Sequence, residues 1–135
     1  MSEDGKKRLK DLAKQVREKV TPKGNDVLHE KGLAIVDELA KELSSPDGMP
    51  GLKVYRDGQT KFRLQRSPRN AEIVVEWQRE IGALCLTTEK HGEPKKLVRY
   101  VWDEAPKHWR RMDGGGEVWE DLTAALIETL YPEMR

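Results

Sequence analysis

The feature that most constrains the fold is an alternation of apolar and mainly polar or charged side chains between Leu52 and Trp102. The apolar members are Leu52, Val54, Phe62, Leu64, Ile73, Val75, Trp77, Leu84, Leu86, Val98, Tyr100 and Trp102. Successive side chains of a β-strand point to opposite faces, so a period of two indicates strands with one buried face. The segment therefore predicts an antiparallel sheet with one face in the core.

Turn-forming residues divide this segment into separate strands. The predicted strands lie near residues 52–56, 60–66, 71–78, 83–89 and 96–102. Asp57-Gly58 is a strong hairpin signal, and a loop over residues 57–59 pairs Val54 with Phe62 and Leu52 with Leu64. The later turns predict the apolar pairs Phe62 with Val75, Leu64 with Ile73, Trp77 with Leu84, Val75 with Leu86, Val98 with Leu86 and Tyr100 with Leu84.

Helical periodicity flanks the sheet on both sides. Apolar residues spaced three and four apart predict helices over residues 6–20, 25–43 and 117–131. Residues 44–51, rich in Ser, Pro and Gly, form the predicted linker into the sheet. Residues 107–112 form either a short sixth strand or an irregular edge, and the strand is favoured. The predicted class is α+β: two N-terminal helices, a five- or six-stranded antiparallel meander, and a C-terminal helix on one sheet face.

Length and composition fit one soluble domain. The chain has 135 residues, of which 36% are hydrophobic and 36% are charged, a mixture that favours folding over disorder. No apolar run could span a membrane, the N-terminus lacks the apolar centre of a signal peptide, and Cys85 is the only cysteine. We therefore expect a single cytoplasmic domain over residues 1–135, with residues 1–24 forming a basic amphipathic arm or helix.

Charge is segregated along the chain, although the formal net charge is only +1. Acidic side chains concentrate on the second and C-terminal helices, whereas basic side chains concentrate on the N-terminal arm and the outer strands. Attraction between basic strands and acidic helices explains this pattern, and so does a surface that orients a charged partner.

The sequence carries no complete catalytic or metal-binding motif. Cys85 lies in the middle of a strand, where a small half-buried side chain needs no nucleophilic role. His29-Glu30 begins a zinc-protease pattern, but Leu33 stands where the second histidine would be required. The glycine-rich turn over residues 113–116 precedes a helix whose acidic first turn would repel phosphate.

Paired carboxylates are the remaining catalytic candidate. Glu72 and Glu76 share one strand face, but their predicted cross-strand partners are Gln65 and Lys61, so we interpret them as solvated ion-pairing residues. The sequence thus predicts no cofactor and no metal, and it favours a non-enzymatic function.

The outer sheet face is the candidate functional surface. Its predicted binding residues are Lys53, Tyr55, Lys61, Arg63, Arg66, Arg69, Val74, Cys85, Leu97 and Arg99. Like charges facing one another destabilise a hairpin, and several apolar residues on a water-facing side favour association, so we expect this face to be covered. The cover could be the N-terminal helix, a second copy of the chain or another protein.

Three classes of function fit these features. The first is a non-enzymatic protein-interaction module that uses the outer sheet face or an edge strand, in a homodimer or with another protein. The second is single-stranded nucleic-acid binding, in which the basic residues contact phosphates and Tyr55, Trp102 or Trp109 stacks on bases. The third is a small-molecule binder or an enzyme of unknown chemistry. No membrane partner is expected, because the basic N-terminal helix has a narrow apolar stripe without Trp or Phe.

Overall fold

The computed structural model describes residues 3–20, 23–45, 48–68 and 70–135. The elements in chain order are α1 (Glu3–Val20), α2 (Lys23–Ser44), β1 (Lys53–Arg56), β2 (Lys61–Gln65), β3 (Ala71–Gln78), β4 (Ala83–Lys90), β5 (Lys96–Asp103), β6 (His108–Arg111) and α3 (Val118–Ala125). A π-helical turn over Leu126–Leu130 continues α3, and a 3₁₀ turn over Pro132–Met134 follows it. The fold is α+β, as the alternating pattern predicts.

The strands form one antiparallel sheet whose spatial order is the chain order, β1-β2-β3-β4-β5-β6. The register from β2 to β5 matches the prediction, with Phe62 opposite Val75, Trp77 opposite Leu84 and Tyr100 opposite Leu84. The sixth strand is present and pairs with β5. The meander topology is therefore confirmed.

The predicted register of the first hairpin was wrong. Val54 pairs with Leu64, and Phe62 pairs with Arg56. The Asp57 N–H donates to the Lys61 carbonyl at 2.9 Å, so the loop lies one residue later in the chain than expected. The pairing shifts by two residues, which leaves every side chain on its predicted face.

The core lies between one face of the sheet and the two helices α2 and α3. Its buried sheet residues include Phe62, Leu64, Ile73, Val75, Trp77, Leu84, Leu86, Tyr100 and Trp109. α2 contributes Ile35, Val36, Leu39 and Ala40, and the C-terminal helix contributes Val118, Leu122, Leu126 and Leu130. Because α2 and α3 pack on this inner face, neither of them covers the outer face.

Close packing of α2 on the sheet depends on Gly32. A Cβ atom at this position would lie 2.2 Å from the nearest ring carbon of Trp77, far inside van der Waals contact. Trp77 is only 3% exposed, and its indole Nε1 donates to His29 Nδ1 at 2.9 Å. The glycine in the apolar stripe of α2 therefore allows the helix to lie directly on the indole ring.

A partly buried polar network joins the last strands to α3. The Tyr100 hydroxyl donates to Asp121 Oδ2 at 2.7 Å, and Arg111 Nε donates to the same oxygen at 3.0 Å. Burial, followed by the hydrogen bond to Asp121, raises the pKa of Tyr100 above its ordinary value. The neutral phenol is thus favoured in the folded chain.

This network predicts a loss of stability in alkaline solution. A phenol whose pKa is raised on folding contributes stability that is complete below its unfolded pKa of about 10 and is lost as the pH rises above that value. We expect Tyr100→Phe to flatten the decline in unfolding free energy above about pH 10, measured by urea denaturation at several pH values. Tyr55→Phe, which removes an exposed phenol, is the matched control. An unchanged slope in Tyr100→Phe would contradict this role.

Candidate functional site

The outer face is formed by the side chains of all six strands that point away from α2 and α3. By the observed register these residues are Lys53, Tyr55, Lys61, Arg63, Gln65, Glu72, Val74, Glu76, Gln78, Ala83, Cys85, Thr87, Glu89, Leu97, Arg99, Val101, Asp103, His108 and Arg110. The alternation of each strand places them there, because their neighbours in sequence fill the core.

Apolar side chains remain accessible on this face. Val74 and Val101 are half-buried, and Leu97 is 51% exposed. Met112 is 56% exposed, and its N–H donates to the Arg99 carbonyl at 2.9 Å, so it extends the apolar area beyond β6. The sequence pattern did not indicate Met112, because this residue lies just after a short strand.

Two large apolar side chains of α1 are themselves exposed. Leu9 and Leu12, which belong to the apolar stripe of α1, are 60% and 55% exposed. A helix that sealed the sheet through these leucines would bury them. Among the described side chains of this helix, the two large apolar groups are therefore still available for contact.

Small residues form a trough along β4 on the outer face. Ala83 and Cys85 are buried and Thr87 is half-buried. Burial raises the pKa of the Cys85 thiol, and the nearby Arg99 opposes that effect more weakly. Cys85 therefore lies at the bottom of the trough as a protonated thiol at neutral pH.

Cys85 is expected to react slowly with thiol reagents in the folded protein. The thiolate is the reactive form, and both burial and the raised pKa reduce its amount at the surface. Labelling near pH 8 should be at least about tenfold slower in buffer than in denaturant, as followed by absorbance of a disulfide reagent. Equal rates in the two solvents would place Cys85 in open solution.

One row across the middle of the face contains three charged residues and Cys85. Lys61, Glu76, Cys85 and Arg99 are linked as direct neighbours in the register, and we call them the central row. Glu76 lies opposite Lys61 as predicted, but it accepts its hydrogen bond from Gln78 Nε2 at 3.1 Å. No ion pair within the described part of the chain involves Arg99 or Lys61.

Other basic residues of the candidate set are engaged within the chain. Arg63 Nε forms an ion pair with Asp57 Oδ2 at 2.8 Å, which raises the pKa of the arginine further. Arg66 lies at the end of β2, and its guanidinium points to the C-terminal segment instead of the outer face. It donates to the Leu130 carbonyl at 2.8 Å, forms an ion pair with Glu133 and stacks on the Tyr131 ring.

The predicted base-stacking residues lie on two different faces. Tyr55 is exposed on the outer face, with the Arg63 guanidinium 5.4 Å from its ring centre. Trp102 and Trp109 point to the inner face, and Trp109 is buried in the core. Arg69, which was predicted to extend the basic surface, lies outside the described residues. The structure therefore does not bring the basic cluster and the two tryptophans together.

The inner face contains a tryptophan-lined groove between α2, the β5–β6 hairpin and α3. It has a volume of about 340 Å³ and is lined in part by Trp102, Trp109 and Trp119. Lys31 Nζ lies 4.6 Å from the Trp102 ring centre, so a cation from the chain itself already occupies one aromatic face. A second cavity, of about 190 Å³, adjoins Tyr100 and Asp121.

Comparisons with family models, curated proteins and solved structures gave no match to this chain. Within the described ranges, no group of three or more His, Cys, Asp or Glu residues is placed to hold a metal ion. The same ranges contain no helix long and apolar enough to cross a membrane.

Proposed function

We propose that the protein is a non-enzymatic protein-interaction module whose outer sheet face binds a second copy of the chain. The observation that carries this proposal is the accessible apolar area around Leu97 and Met112 on a face that the two core helices leave open. Accessible apolar residues with a polar surround are typical of protein interfaces.

The charge of the face favours a protein partner over a polyanion. The strands present both signs on this side, with the basic residues Lys53, Lys61, Arg63, Arg99 and Arg110 and the acidic residues Glu72, Glu76, Glu89 and Asp103. Nucleic-acid binding depends on phosphate neutralisation by a basic surface, which neighbouring carboxylates weaken. A surface that carries both signs can instead complement a copy of itself.

The size of the face is adequate for a dimer. Three strands have eight residues and the other three have four or five. With ~4.8 Å between strands and ~3.4 Å per residue, the sheet covers about 600 Å² in projection. Side chains that project from the sheet add to this area, which brings it toward the ~800 Å² per partner of a standard interface.

The test is a lysine in the centre of the face. Val74→Lys introduces a charge that a contact between two copies would have to bury, so we expect dissociation with unchanged secondary structure. Val27→Lys is the matched control, because Val27 is an exposed valine on α2. Sedimentation velocity gives the mass of each variant, and circular dichroism reports whether helix content is kept.

Three results would count against the proposal. A wild-type chain that is monomeric at all concentrations would overturn it, and so would equal dimerisation by the wild type and Val74→Lys. Salt-sensitive binding of single-stranded DNA that requires Lys61 and Arg63 would support the nucleic-acid alternative instead.

A further inference from the structure

We infer that the two copies pack face to face about a two-fold axis that runs along β4, an inference that rests on the proposed homodimer. Rotation about such an axis preserves the strand direction and lays β5 of one protomer over β3 of its partner. Sheets that pack face to face keep their strands within about 30° of alignment, so this arrangement is a normal one.

The outward residues of β3 and β5 are complementary in this arrangement. The register defines two adjacent rows across the sheet, Val74–Thr87–Leu97 and Glu76–Cys85–Arg99. The axis therefore places Leu97 of one protomer opposite Val74 of the other, and Arg99 opposite Glu76. Each contact occurs twice by symmetry. Exposed Leu97 would be covered, and Arg99 would gain the carboxylate that the described part of its own chain does not provide within ion-pair distance.

The strand on the axis has the residues that such packing requires. β4 faces its own copy, and its first three outward residues, Ala83, Cys85 and Thr87, are small enough for two sheets to approach. The acidic residue of β4, Glu89, lies near the end of the strand and pairs with Lys95 Nζ at 3.8 Å. Its charge is therefore partly compensated where the two copies of β4 would meet.

The alternative two-fold axis, perpendicular to the strands, is unfavourable. That rotation lays each strand over its own copy, so β2 would face β2 and β3 would face β3. Lys61 and Arg63 would then approach the same basic residues, and Glu72 and Glu76 would approach the same acidic ones. Opposed like charges weaken association by several kcal/mol. The arrangement of positive and negative side chains on the outer face therefore favours the axis along β4.

Charge reversal at Arg99 and Glu76 tests the axis. We expect Arg99→Glu and Glu76→Arg each to weaken homodimerisation about 100-fold or more, because each variant places two like charges opposite each other twice. An equal mixture of the two variants should form a heterodimer, since every contact then joins opposite charges. Glu42→Arg is the matched control, because it reverses an exposed charge on α2, which packs on the opposite side of the sheet.

Native mass spectrometry separates the heterodimer from both homodimers by mass, and circular dichroism checks that each variant is folded. A mixture that forms heterodimers while neither variant dimerises alone is the expected result. If the wild type is dimeric but an equal mixture of the two variants forms no heterodimer, the axis along β4 is wrong and the proposed dimer still stands. A monomeric wild type would overturn the proposed function itself.

Discussion

Replacing Trp77 with alanine is expected to lower the free energy of unfolding by about 3–5 kcal/mol. Trp77 is buried among α2 and β4, contacts Trp109 edge-on at 5.5 Å between ring centres, and donates its indole hydrogen to His29. Truncation removes a large apolar surface and leaves a cavity under α2. Urea denaturation followed by far-ultraviolet circular dichroism measures the decrease in the free energy of unfolding.

Trp119→Ala is the control for Trp77→Ala. Trp119, at the start of α3, is 36% exposed against 3% for Trp77, so its truncation should cost clearly less than that of Trp77. Equal costs at the two positions would mean that the Trp77 side chain is not the centre of the contact between α2 and the sheet.

Gly32→Ala is expected to destabilise the protein by about 1–3 kcal/mol, the usual cost of overpacking. The direction of the change in the free energy of unfolding is informative, because the same substitution in an unconstrained helix is stabilising by about 1 kcal/mol. Here the added methyl group would meet the Trp77 ring carbons, the nearest at 2.2 Å. Thermal and urea denaturation of the variant measure the effect.

A double-mutant cycle separates the steric effect from helix propensity. In a Trp77→Leu background the indole rings are gone, so Gly32→Ala should become nearly neutral or stabilising. If Gly32→Ala costs the same in both backgrounds, the contact with Trp77 is not the reason for the glycine.

The sheet from β2 to β5 could be predicted because each register satisfied two faces at once. Apolar pairs such as Trp77 with Leu84 indicated the register from the inner face. On the outer face, the same register placed Lys61 opposite Glu76. A shift by one residue would have violated both. The first hairpin lacked this check, since Asp57-Gly58 marks a turn without defining which residues close it.

Contacts between distant segments could not be read from local patterns. Arg66 follows a basic strand in sequence, yet its guanidinium contacts the Leu130 carbonyl, 64 residues further along the chain. The face on which Trp109 lies depended on whether β6 formed. A strand of four residues is too short to show a reliable alternation of apolar and polar side chains. Tertiary packing determined where the side chains of Arg66 and Trp109 lie. Because Arg66 contacts the C-terminal segment, the outer face carries fewer basic residues than the sequence predicts.

The most direct test of the account is the mass of the unmodified chain in solution. Sedimentation equilibrium over a range of concentrations should give twice 15.5 kDa, and Val74→Lys should give 15.5 kDa under the same conditions. This pair of results would identify the outer sheet face as the contact between copies. A wild-type mass of 15.5 kDa at every concentration would contradict the account.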